Sequence, residues 1–105
     1  SGATVDAGSV RVDATPAYGD VNASAYVHDA AKTLTVVLIN PAKQEQAVTI
    51  TLKGTPATGS LKTIRTSATE SGATLAPTPV RDGKATLTLP AESIVTLTNV
   101  ELPAH

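Results

Sequence analysis

Phe, Trp, Met and Cys are absent from this chain, and two tyrosines are its whole aromatic supply. Any interior must therefore be filled by Val, Leu, Ile and Ala, with threonine methyl groups at its margin. β-Branched side chains are stiff about χ1 and fit a pleated surface better than a helix, so this inventory already leans towards sheet. The missing cysteine also removes disulfides, thiolate metal sites and thiol nucleophiles together, which leaves packing and hydrogen bonds to hold the fold. At 105 residues the chain has the size of one domain.

The polar residues narrow the function classes. A formal net charge of -1 with 16% charged residues gives neither the basic footprint of a nucleic-acid binder nor a solvating acidic tail. No apolar run approaches the ~20 residues a membrane helix needs. Residues 1–8 lack the basic and hydrophobic regions of a signal peptide and open on Ser-Gly without Met, so they read as a tag scar or linker. Residues 9–102 read as the domain, and 103–105 as a flexible tail.

Turn residues punctuate the chain about every ten positions, and the segments between them alternate with period two. Val10 to Thr15 is a strand ended by Pro16. Val21 to His28 directs Val21, Ala23, Ala25 and Val27 one way and Asn22, Ser24, Tyr26 and His28 the other. Thr33 to Asn40 is apolar on nearly every position, which predicts a central strand covered on both faces. Asn40-Pro41 closes it. Gln46 to Lys53 alternates again, and Leu61 to Thr66 is a shorter strand after a loop through Gly59. Ser67 to Pro79 has no period and is predicted to be a long surface excursion, with Gly72 in a loop. Asp82-Gly83 between Val80 and the alternating Ala85, Leu87 and Leu89 is a hairpin signal. Ile94 to Val100 is the last strand. The expectation is an all-β, antiparallel β-sandwich, Ig-like or jelly-roll-like, with about seven or eight strands.

Several of these segments, in this order, resemble the C-terminal β-sandwich (side) domain of glycoside hydrolase family 30, which includes glucosylceramidases and glucuronoxylanases. They are Val10-Arg11-Val12-Asp13-Ala14-Thr15-Pro16, Val21-Asn22-Ala23-Ser24-Ala25-Tyr26, and Leu34 to Pro41. Ile64-Arg65-Thr66-Ser67 is similar to that family's Tyr-Arg-Thr-Ser strand, and Leu89 to Leu97 to its closing strand. The resemblance implies a secreted or periplasmic parent enzyme whose chemistry lies in a separate (β/α) barrel with two catalytic glutamates. It also implies a sandwich that packs on the barrel's side and takes in a strand from before it. None of the barrel motifs occurs here, so no catalytic residue is carried over.

The residues themselves offer little chemistry. Glu45, Glu70, Glu92 and Glu101 are scattered over loops and strand ends, where solvated charges are ordinary, whereas a retaining glycosidase needs two carboxyl groups about 5 Å apart across a sugar cleft. His28 beside Asp29 and His105 on the tail do not make a metal site or a triad. Lys53, Lys62, Arg65, Arg81 and Lys84 are interspersed with acids, and no glycine-rich turn leads into a helix that would cradle phosphate. No cofactor, metal, nucleic-acid partner or membrane is expected. Sugar contact is the main functional alternative, because carbohydrate-binding modules stack pyranose faces on exposed rings. Tyr18, in the loop from Pro16 to Asp20, and Tyr26, on an outward face, are the two candidates; loop anchoring and packing on a barrel are their competing roles. Three readings stand in order: a noncatalytic accessory domain of a polysaccharide-active glycoside hydrolase partnered by its barrel, an independent carbohydrate-binding module for xylan or β-glucan, and an Ig-like structural or adhesion module.

Overall fold

The computed structural model describes residues 2–7, 10–16, 20–28, 33–54 and 59–98. They form nine strands, β1 (Ala3–Ala7), β2 (Val10–Pro16), β3 (Asn22–His28), β4 (Thr33–Asn40), β5 (Gln46–Lys53), β6 (Gly59–Ser67), β7 (Glu70–Val80), β8 (Lys84–Leu89) and β9 (Ser93–Thr98). Two sheets result, one of order β1-β2-β5-β8 and one of order β3-β4-β9-β6-β7, with antiparallel pairing throughout.

Period-two alternation turns one face of each sheet inward. In the four-stranded sheet the registers Val12↔Leu52 and Ala14↔Ile50 carry the core, and in the five-stranded sheet Val36↔Leu97 and Leu38↔Val95 answer them. These aliphatic side chains fill the space between the sheets. Each fully buried Val or Leu stabilises by roughly 1.5–3 kcal/mol before ordering entropy is counted.

Four expectations need correction. The strand Thr33–Asn40 is interior to its sheet, between β3 and β9, but only its inward face is buried: Leu34, Val36, Leu38 and Asn40 are buried, while Thr33, Thr35, Val37 and Ile39 are half-exposed. Its apolar run reports a central place within one sheet, not cover on both sides. Residues 67–79, expected as an excursion, are largely β7. That strand pairs with β6 through register shifts between Leu61 and Thr63 and between Arg65 and Ser67, which destroys the simple alternation. Its prolines are tolerated because β7 is an edge strand. Gly59 and Gly72, assigned to loops, lie at the start of β6 and inside β7. Finally, residues 3–7, read as part of a linker, form β1, paired with β2 from Ala3↔Ala14 to Ala7↔Val10 and packed along β3 at the side of the sandwich. The tail 103–105 lies outside the described residues.

The Asp82-Gly83 turn is present, with φ of 53° and 74° and mutual 2.9 Å backbone bonds between Arg81 and Lys84. Two positive φ values make it the primed turn that suits a tight reversal. Yet β7 and β8 belong to different sheets, so the turn crosses between layers instead of joining partners in one. Glycine at position 83 suits both the positive φ and a close approach to β5. Its carbonyl accepts the Leu52 N–H at 2.7 Å, and a Cβ there would stand 3.0 Å from the Leu52 carbonyl oxygen.

A fully buried Asn40 closes one end of the sandwich. Its Nδ2 donates to the carbonyls of Gln44 (2.8 Å), Pro90 (3.0 Å) and Leu89 (3.2 Å), and its Oδ1 accepts the Ala42 N–H at 3.0 Å and Gln46 Nε2 at 3.4 Å. Gln46 Nε2 also reaches the Asp20 carbonyl at 3.0 Å, and Ser93 Oγ donates to the Pro90 carbonyl at 2.7 Å. Leaving several of these buried groups without partners costs about 1–3 kcal/mol each. Asn40→Ala is therefore expected to lower the unfolding free energy by about 3 kcal/mol or more, with an unchanged denaturant slope in a urea titration. Gly83→Ala is expected to cost about 1–3 kcal/mol in the same assay.

Candidate functional site

The two outward faces of the sandwich differ in chemistry. On the four-stranded sheet, pairing sets Asp6, Arg11 and Lys53 in one row, Thr4, Asp13, Thr51 and Lys84 in the next, and Thr15, Thr49 and Thr86 in a third. This face is charged and hydroxylated. Thr4 Oγ1 donates to Asp13 Oδ1 at 2.7 Å, and Arg11 Nε reaches the same oxygen at 3.4 Å. The Thr4 hydrogen bond is the main reason the Asp13 carboxyl titrates below its ordinary value, with Arg11 adding to it.

On the five-stranded sheet the outward rows are Tyr26–Thr35–Thr98–Lys62, Ser24–Val37–Thr96–Ile64–Thr74, and Asn22–Ile39–Ile94–Thr66. Lys62 is the one charged side chain in these rows. Ile94 is 43% exposed beside the half-exposed Ile39, and Val37 and Ile64 continue the patch. Tyr26, 62% exposed, stands on the edge strand at the opposite corner, two rows and two strands from Ile94. The threonines between them are linked by a 3.3 Å bond from Thr35 Oγ1 to Thr98 Oγ1.

Of the two tyrosines singled out from the sequence, Tyr26 thus lies outward as expected, and Tyr18 falls outside the described residues, as do the His28 side chain and His105. The apolar patch on the outer sheet was missed. Its signal was the doubly apolar run of Thr33–Asn40, assigned wholly to the core.

The carboxylates are placed as ordinary surface and turn groups. Glu92 occupies a turn with φ of 49°, and its N–H donates to the Ala42 carbonyl at 2.9 Å, which sets that turn against the loop carrying Glu45. Both side chains are exposed. Glu70 is engaged by Arg65 in a two-point ion pair, Nε to Oε1 at 2.7 Å and the terminal nitrogen to Oε2 at 2.9 Å, and Ser67 Oγ adds a 3.0 Å bond. This fork, from the Ile64 to Ser67 segment, ties the β6–β7 turn together. Among the described residues no three His, Asp or Glu side chains gather as metal ligands.

Comparison with known proteins joins this geometry to a family. Residues 8–97 match the glycosyl hydrolase family 30 beta sandwich domain. The chain belongs to that family. A solved structure of similar fold is CelM2, described as a bifunctional glucanase-xylanase protein from a metagenome library; it is 28% identical with a TM-score of 0.70, over 74% of this chain and 15% of that one. A comparison with curated proteins returned no match. The family 30 sandwich is a noncatalytic side domain, and the matched span begins two residues before β2 and ends at Leu97, the penultimate residue of β9. β1 lies before it.

The Arg65 fork holds the Glu70 carboxyl below its ordinary 4.5, chiefly through the Arg65 hydrogen bonds, with Ser67 assisting. A lowered folded value means that this stabilisation is complete above 4.5 and disappears as pH falls through the folded pKa. Asp13 behaves alike from 3.8. Thermal melts in acid should therefore show the midpoint falling below about pH 4.5, with a shallower fall in a Glu70→Gln, Asp13→Asn double variant that starts from a lower midpoint at neutral pH.

Proposed function

We propose that this family 30 sandwich is the noncatalytic accessory domain of a secreted or periplasmic enzyme that degrades plant-type polysaccharide, and that it packs on and stabilises the enzyme's catalytic barrel. The observation that carries this reading is the match of residues 8–97 to the sandwich domain of a glycoside hydrolase family. The similar CelM2 chain supports it: the region in common is 15% of a protein described as a glucanase-xylanase, so most of that protein lies outside the sandwich. A domain of this kind acts by holding a neighbouring scaffold and its loops in place, which is a structural contribution to catalysis and needs no reacting group of its own.

A second reading has one observation in its favour. Tyr26 presents an exposed ring beside Ser24 and Thr35, a combination of apolar area and hydrogen-bonding groups that suits a sugar ring. A single ring at a sheet edge is a small platform, and the accessory role is preferred. An adhesion module is the third alternative, without a feature of its own to favour it.

Affinity electrophoresis of the 105-residue chain through gels containing glucuronoxylan, β-glucan or no polymer separates the first two readings. Equal mobility in all gels, with no sugar released from either polymer, is the expected outcome. Retardation by one polymer that is lost in Tyr26→Ala would replace the accessory reading with a binding module.

A further inference from the structure

We infer that the outer face of the five-stranded sheet, centred on Ile94 and Ile39, is the surface that seats the catalytic barrel, with Tyr26 at its rim; this rests on the accessory-domain reading above. The choice is between two broad flat faces. Seating the barrel on the four-stranded sheet would bury Asp6, Arg11, Asp13, Lys53 and Lys84, and charges removed from water without excellent partners are costly. Seating it on the five-stranded sheet buries Ile94, Ile39, Val37, Ile64 and threonine methyl groups, and leaves Lys62 at the border of its row. Apolar centre and polar border is the usual anatomy of a protein interface.

The size also fits. Four to five strands at ~4.8 Å and three rows at ~6.8 Å cover roughly 20 by 20 Å, so both partners together would bury on the order of 800 Å², within the range of contacts between domains of one chain. Tyr26 lies at the corner on edge strand β3, beside Thr35 and Ser24, where a ring covers the dry centre from water without being part of it. The occupant is the catalytic barrel of the accessory-domain reading, and the region shared with CelM2 is 15% of that protein, which leaves most of its length for a partner domain.

The test compares the isolated 105-residue chain with the full-length enzyme that carries it, each with Ile94→Lys, Ile94→Thr or Thr86→Lys. Thr86 is exposed on the opposite face and controls for a lysine on a strand. The expected result is that both Ile94 variants shift the melting midpoint of the isolated chain by less than about 2 °C but lower that of the enzyme by about 4 °C or more, and that Thr86→Lys spares both. Equal shifts in chain and enzyme for both Ile94 variants, or a larger loss in the enzyme from Thr86→Lys, overturn this face while leaving the accessory role standing. A full-length protein without a barrel overturns both.

Discussion

The Asn40 side chain is the interaction on which the arrangement of the two sheets depends. Aliphatic packing is strong but indifferent to direction, and a core of Val, Leu, Ile and Ala tolerates sliding of one sheet over another. Asn40 belongs to β4 in one sheet, while its partners Leu89 and Gln46 belong to β8 and β5 in the other. An amide has few donors and acceptors, each with a direction, so satisfying them fixes the relative position of the layers at that end. Pro41 helps by stopping β4 where the amide must turn inward. The positive φ of Glu92 is held by the same constellation, since its N–H reaches the Ala42 carbonyl across the loop.

Elsewhere a smaller polar pair accompanies the bulged part of the sheet. Thr63 Oγ1 donates to the Leu61 carbonyl at 3.0 Å, which uses its proton, so Thr78 is the donor in the 2.6 Å contact between the two hydroxyls. Both threonines are buried, and this chain of bonds satisfies the backbone where the β6–β7 register shifts. The core is thus apolar in bulk, with directional contacts placed where strand geometry departs from regularity.

Much of this was legible in the sequence because period two is a strong signal wherever a strand is regular. Gln46–Lys53 and Thr33–Asn40 have the bounds that alternation and Asn40-Pro41 indicated. β7 was illegible for a physical reason: two register shifts move successive side chains off a fixed face, and edge prolines mimic loop composition. β1 was hidden because its five residues are mostly small and its pairing with β2 is a tertiary fact. The family likeness was readable from ordered segments, whereas the outer apolar patch was not. Val37, Ile39 and Ile94 look like core residues until registers show which side each one takes. Tyr26 was read correctly as outward because its polar neighbours Asn22 and Ser24 share its parity.

The layer-crossing turn at Asp82-Gly83 also changes what the margin of the four-stranded sheet is. β8 hydrogen-bonds only to β5 within that sheet, so it is formally a free border. At one end it is hitched through Arg81, Asp82 and Gly83 to β7, and at the other through Pro90, Ala91 and Glu92 to β9, both strands of the opposite layer. A border strand anchored at both ends cannot peel away from a loose terminus. To expose its unpaired backbone to a foreign strand it must lift as a whole and disturb the opposite sheet, so this margin is mechanically clamped against stray pairing.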